Sequence, residues 1–180
     1  KYGRYLDTDG DGIPYRTIPG THETRGAFVT RGSSRDEYAA YTEDSAAYQR
    51  NVDRLAKKFE TAKNYVPAPE FYQTENRSKL GIIFFGTSTY AAEEAVELLS
   101  HEGILLDAMR PKAFPFNKDF EDFVNAHDKV FVVEQNRDAQ FRSLIMIELG
   151  TNADKLIPLL NYDGMPITAD FIYKRVRESN

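Results

Sequence analysis

The sequence predicts an α/β fold: a parallel sheet in a three-layer domain, preceded by an irregular connector and a long helix. Three observations carry that expectation. Short continuous apolar runs recur from Leu80 onward, which marks strands buried on both faces. Each run is followed by a segment with helical apolar spacing, so the order is βαβαβαβα. Residues 1–77 lack this alternation and are rich in turn-forming residues around one amphipathic stretch.

In chain order, residues 1–43 read as connector, with "GAFVTRG" (26–32) as one short strand bounded by glycines. "TEDS" (42–45) supplies capping candidates for a helix over about 44–66, in which Tyr48, Val52, Leu55, Phe59, Ala62 and Val66 recur every three or four residues. Pro67 stops it, and residues 70–79 read as a polar linker. The domain proper is expected over 78–180. Its strands are "LGIIFFG" (80–86), "ILLDAM" (104–109), "KVFVVEQ" (129–135) and "KLIPLLNY" (155–162). Its helices are 88–103, 117–127, 138–150 and 168–179; Gly103 and Gly150 are stop signals.

Composition narrows the function classes. The 180 residues are 41% apolar and 28% charged, ordinary values for a globular protein. A net charge of −5 argues against a nucleic-acid partner. No apolar run reaches the 18 or so residues of a membrane span, and no signal segment opens the chain, so a cytoplasmic location is expected. The absence of cysteine excludes disulfides, thiolate zinc sites, cysteine nucleophiles and cysteine-ligated iron–sulfur clusters within this chain. The chain starts at Lys1-Tyr2 without a methionine and reads as part of a longer polypeptide.

"DTDGDG" is the first motif with chemical content. Asp7, Asp9, Asp11 and Gly12 fill positions 1, 3, 5 and 6 of a calcium loop, but Ile18 stands where a bidentate glutamate belongs. The competing reading is a turn whose carboxylates cap backbone amides. "GDG" also opens a thiamine-diphosphate magnesium motif, but no buried strand precedes it and the first following Asn is distant Asn51. "GTSTYA" (86–91) has one glycine and is no dinucleotide fingerprint. Thr87, Ser88 and Thr89 suit either an anion at a helix N-terminus or plain capping. The three histidines, His22, His101 and His127, belong to no triad pattern; the latter two fall at helix ends.

The most functional late stretch is "VVEQNRDAQFR" (132–142). It delivers Glu134, Gln135, Asn136, Arg137, Asp138 and Gln140 to the carboxyl end of a buried strand, the edge where open α/β sheets bind ligands. A solvated loop is the competing reading. Truncating Asn136 or Arg137 is expected to change stability by about 0.5 kcal/mol or less, as at typical surface sites.

Five blocks in order carry a family resemblance: "RYLDTDGDGIPYRTIPGTH", "YQRNVDRLAKKFETAKNYVPAP", "RPKAFPFN", "VFVVEQNRDAQFRSL" and "YDGMPITADF". They resemble the C-terminal part of the alpha subunit of 2-oxoacid:ferredoxin oxidoreductases, the 2-oxoglutarate type above all. The resemblance implies a connector leaving a pyrimidine-binding domain, followed by a domain like the transketolase C-terminal domain. It implies a parent enzyme that converts a 2-oxoacid and CoA to acyl-CoA and CO2 and passes electrons to ferredoxin. Thiamine diphosphate, Mg2+ and iron–sulfur clusters would lie elsewhere in that complex, and the partners would be the beta subunit and the remaining alpha-subunit domains. No catalytic or cofactor-binding residue is assigned to this chain, whose role would be scaffolding and assembly. Where relatives often carry Gly-His, "GSSRDEYAAY" has Ser34-Arg35, so that histidine has no counterpart here. A reading from another class is a free-standing α/β ligand-binding or interaction module.

Overall fold

The computed structural model describes residues 1–29, 31–72 and 78–179. The chain forms two compact units, Lys1–Tyr65 and Val66–Asn180.

In the second unit, five strands form one sheet: β1 (Glu70–Tyr72), β2 (Leu80–Ile83), β3 (Asp107–Arg110), β4 (Lys129–Glu134) and β5 (Leu156–Leu160). Their spatial order is β1-β3-β2-β4-β5. β2, β3, β4 and β5 run parallel, as the βα alternation requires, and only β1 is antiparallel, on β3. The apolar runs work because alternate residues face opposite sides of the sheet and both sides are covered. Ile82, Phe84, Phe131 and Val133 pack on one face with Leu99 and Ala92 of α2 (Thr89–His101) and Ile172 and Val176 of α5 (Ala169–Ser179), and that side is one cluster. Ile83, Met109, Val130 and Val132 face the other way, onto Phe120, Phe123 and Val124 of α3 (Lys118–Ala126) and Ile145 of α4 (Gln140–Leu149). This is the expected three-layer α/β arrangement.

The edge strand β1 falls where a linker is expected; residues 73–77 of that stretch lie outside the described residues. Three residues carry no usable period, so nothing in the sequence marks it. It is held by its ladder with β3 and by Phe71 against Phe123 and Tyr72 against Phe84, with two half-exposed ion pairs beside them: Glu70 meets Arg110 at 2.8 Å and Lys112 at 2.6 Å. The Lys112 ammonium, then the Arg110 guanidinium, hold the Glu70 carboxyl below its ordinary value. β1 belongs to the sheet, and so the compact unit begins at Val66 rather than at residue 78.

The first unit contains α1 (Ser45–Ala62), capped as the sequence suggests: the Asp44 carboxylate accepts the N–H groups of Ala46 and Ala47. The helix ends before the expected residue 66, in a turn over 63–65. Two expectations fail here. The strand over 26–32 is absent among its described residues: no partner strand pairs with it and Val29 is 93% exposed. The apolar stripe of α1 is also left half open, with Tyr48, Val52, Leu55 and Phe59 all exposed and Ala47 its one buried residue. Among the described residues of this unit, those buried are Gly3, Gly12, Pro14, Gly26 and Ala47. It has almost no hydrophobic core, and close backbone packing and polar contacts hold it instead.

Candidate functional site

The parallel strands run in the order second-first-third-fourth, so the direction of winding reverses between β2 and β4. Crevices at the carboxyl ends of such strands are the usual ligand sites of open α/β sheets. Gln135 follows β4 there, and Thr87 and Ser88 follow β2. The Gln135 amide spans the crevice, donating to the Thr87 hydroxyl at 2.8 Å and the Ser88 hydroxyl at 3.2 Å. Beside it lies an open groove of about 510 Å³ whose walls include Thr87, Gln135, Asn161, Tyr162 and Met165. Thr89 donates its hydroxyl to the Gly86 carbonyl, so it is committed within the turn that starts α2.

Glu134 ends β4 and is fully buried. Its Oε2 accepts the Phe141 N–H and the Asn136 amide, each at 2.7 Å, and its Oε1 accepts the Arg142 N–H at 3.0 Å. The Phe141 and Arg142 N–H groups belong to the first turn of α4, where backbone donors lack partners and a negative charge is favoured. A glutamate six residues upstream of the helix therefore caps it. The chain reaches this geometry through Ala139, whose φ of 50° and ψ of 48° put a non-glycine residue in the left-handed region. Glu134 is consequently a structural residue that offers nothing to a ligand.

Asn136 is similarly committed. Its Oδ1 accepts the N–H groups of Asp138 (3.1 Å) and Gln140 (3.2 Å) while its amide donates to Glu134. The expectation that truncating it is nearly neutral is therefore corrected. Asn136→Ala removes three hydrogen bonds in a part-buried loop and is expected to cost about 1–2 kcal/mol. A urea titration followed by circular dichroism checks this; a cost within about 0.5 kcal/mol would return Asn136 to the class of ordinary surface residues. Arg137 and Asp138 are exposed and pair with each other at 2.7 Å, and Gln140 is exposed. Of the six candidates at this edge, the structure turns Glu134 and Asn136 inward, engages the Gln135 amide with Thr87 and Ser88, and leaves Arg137, Asp138 and Gln140 exposed. These are hydrogen-bonding and ionic groups, suited to binding and positioning.

The three aspartates of the N-terminal loop come together, with one oxygen of each within 4.8 Å of the others. Their oxygens also serve the loop itself. Asp7 accepts the N–H of Gly10 (2.8 Å) and Gly12 (3.0 Å), Asp11 accepts the Ile13 N–H (2.7 Å), and Asp9 accepts the Tyr15 hydroxyl (3.0 Å). The hydrogen bond from Tyr15 to Asp9 raises the Tyr15 pKa above its ordinary value. Carboxylates that cap backbone amides are what the turn reading describes. Neither thiamine diphosphate nor an iron–sulfur cluster fits this donor set. The chain has no cysteine, and the Gly10-Asp11-Gly12 turn follows no strand and spends Asp11 on its own backbone.

A second polar centre escaped notice in the sequence. His127 and Asp107 are buried at the amino edge of the sheet, 3.2 Å apart, beside a cavity of about 390 Å³. His127 Nδ1 donates to the Phe123 carbonyl at 2.7 Å, and Asp107 also accepts the Ser78 N–H at 3.2 Å. Gly81 leaves the room: a Cβ there would stand 3.1 Å from the His127 ring. The one sequence signal was Asp107 itself, a carboxylate inside the apolar run 104–109.

The fold and its polar carboxyl edge define a doubly wound α/β module joined to a coreless connector. No protein-family model matches the chain. Over 170 residues it is 26% identical to the alpha subunit of 2-oxoacid:ferredoxin oxidoreductase 2 of Aeropyrum pernix, covering 92% of this chain and 25% of that subunit. Over 150 residues it is 25% identical to the alpha subunit of the 2-oxoacid:ferredoxin oxidoreductase of Saccharolobus solfataricus, covering 81% of this chain and 23% of that one. The structure is similar, with a TM-score of 0.79 and 28% identity, to 2-oxoglutarate:ferredoxin oxidoreductase from Magnetococcus marinus, solved with 2-oxoglutarate, coenzyme A and succinyl-CoA bound. That match covers 98% of this chain and 30% of the other. In sequence and in fold, this chain is thus similar to the alpha subunits of 2-oxoacid:ferredoxin oxidoreductases, and it spans about a quarter of the length of the curated relatives it matches.

Proposed function

We propose that this chain serves as a scaffolding and assembly part of the alpha subunit of a 2-oxoacid:ferredoxin oxidoreductase, acting on 2-oxoglutarate. The enzyme would convert the 2-oxoacid and CoA to acyl-CoA and CO2, with electrons passed to ferredoxin. Thiamine diphosphate, Mg2+ and the iron–sulfur cluster would be held by other parts of the complex, in the cytoplasm. The single observation that most supports this is the similarity to the Magnetococcus enzyme over 98% of this chain, across both units. The carboxyl edge fits the same role. Gln135, Arg137 and Asp138 are exposed polar groups on a loop that Glu134 and Asn136 hold rigid from beneath. Such a loop loses little by being presented to a neighbouring domain or subunit, because its shape is fixed beforehand. Among the described residues, no helix is long and apolar enough to cross a membrane.

The test is made in the assembled alpha–beta enzyme. Arg137→Ala with Asp138→Ala is expected to change stability by only about 0.5 kcal/mol, as at exposed sites. The same pair of changes is expected to weaken subunit assembly by gel filtration, or 2-oxoglutarate turnover with ferredoxin as acceptor. Normal assembly together with normal turnover would remove the edge from the interface and leave the fold similarity without this functional content.

A further inference from the structure

Although the chain is acidic overall, with a net charge of −5, one groove in the N-terminal unit is lined, among the described residues, by five cations and no carboxylate. The cations are Arg16, Arg31, Arg35, Arg54 and Lys58, and the groove encloses about 400 Å³, within the size range of small-molecule sites. They come from three separate segments, so the convergence is a product of folding and not of a charged run. No side-chain ion pair occupies Arg16, Arg35 or Lys58 among the described residues; the nearest regular acid–base pairs of this unit, Lys57 with Asp7 and Arg50 with Glu37, use other residues.

A second observation marks the same place. Three buried side-chain atoms lack a hydrogen-bond partner among the described residues: Arg35 Nε, Asn51 Oδ1 and Arg54 Nε. All three belong to residues that line this groove; the two arginine Nε–H groups are donors, as an anion requires, whereas Asn51 Oδ1 is an acceptor. Buried polar groups left unmade cost about 1–3 kcal/mol each, more when charged, so a site that collects them in one spot is arranged for something other than its own stability. Arg54 also donates to the Gly12 carbonyl at 2.9 Å, which pins its guanidinium in place. Burial pushes its pKa down; Asp7 pulls it the other way, and Arg16, with a smaller effect, adds to the lowering. The groove thus holds like charges close together, a situation that a polyanion relieves. Its remaining wall is apolar: Tyr48, Val52 and Leu55 of α1 are all exposed there.

We propose that this groove binds a phosphorylated small organic ligand, its phosphate oxygens on the arginine side chains and its organic body against Tyr48, Val52 and Leu55. Guanidinium groups match phosphate oxygens bidentately, and several of them together suit a ligand with more than one negative charge. An isolated carboxylate would satisfy only part of this set. The assignment does not depend on complex assembly, and its test uses the whole alpha subunit that carries this chain, because the N-terminal unit has almost no hydrophobic core of its own.

The experiment is calorimetric titration at low ionic strength with two probes, inorganic pyrophosphate and ADP. Both are expected to bind saturably at one site, ADP more tightly because it adds an organic body. Arg16→Glu with Lys58→Glu is expected to weaken both by at least about tenfold, as befits loss of charge-assisted contacts. The control, Lys174→Glu with Arg175→Glu, makes the same charge change on α5 and is expected to leave binding unaltered. Circular dichroism confirms that each variant is folded. Three results would overturn the proposal: no saturable binding of either probe, equal weakening in both double variants, or binding of an acidic peptide such as oligoglutamate in place of both probes.

Discussion

Glu134→Ala is expected to lower the stability of the α/β unit by about 3 kcal/mol, because a buried partner is removed from several donors at once. The carboxylate is fully buried and accepts from the Phe141 and Arg142 amides and the Asn136 side chain. Alanine leaves those donors facing an apolar interior with no solvent to replace the lost oxygen atoms. It also removes the negative charge from the first turn of α4, where the helix dipole favours it. Glu134→Gln separates the two contributions. The amide keeps one acceptor oxygen but turns an NH2 group toward backbone N–H groups, so an intermediate loss of about 1–2 kcal/mol is expected. Urea denaturation followed by circular dichroism gives the stability. Amide exchange at Phe141 and Arg142 locates it, since their protection should fall in the Ala variant before that of β2 or β4. A loss below about 1 kcal/mol for Glu134→Ala would mean that water or backbone movement replaces the cap, and the rigid-loop basis of the proposed docking edge would go with it.

The contrast between Glu134 and its neighbours shows where sequence reading stops. The strand 129–134 was legible because four consecutive apolar residues admit few alternatives to a strand covered on both sides. The same pattern placed β2, and helical spacing placed α2, α3 and α5, because packing there is set by local period. The boundaries of β3 were less legible: the apolar run 104–109 begins three residues before the ladder does, since Ile104, Leu105 and Leu106 precede it. Glu134 could be placed at the carboxyl edge but not turned inward, since that depends on the left-handed Ala139 and on where α4 begins. The strand expected at 26–32 had suitable composition and no partner to pair with. The cationic groove draws Arg16 and Arg54 from either end of a 38-residue separation, and His127 meets Asp107 across 20 residues. Proximity of that kind is created by the fold and has no local signature. The family resemblance rested on ordered blocks and is matched by the relatives, whereas the scaffolding role assigned to this chain rests on the fold similarity and awaits the assembly experiment.

Gly12→Ala is expected to destabilise the N-terminal unit by about 3 kcal/mol, the sum of backbone strain and overlap. Gly12 has φ of +81°, a conformation that costs an L-residue about 1 kcal/mol or more. It also lies against the backbone of α1: an added Cβ would stand 2.5 Å from the Lys58 nitrogen and 2.9 Å from the Arg54 carbonyl. Neither neighbour is a flexible side chain, so the loop or the helix has to move. Moving either breaks the contacts that join them, from Arg54 to the Gly12 carbonyl and from the Thr61 hydroxyl to the Asp11 carbonyl. A unit whose buried residues are mostly glycines has little apolar packing to compensate. Gly20→Ala provides the comparison. Its φ is +91° but nothing lies within 4 Å of the added carbon, so only the strain of about 1 kcal/mol is expected. Hydrogen exchange over α1 reads both variants, with protection lost in Gly12→Ala and nearly kept in Gly20→Ala. Equal effects would mean that conformation alone matters. Unchanged protection in both would mean that the Asp-Gly loop does not hold α1, and that the cationic groove, whose Arg54 side chain bonds to Gly12, is organised by other contacts.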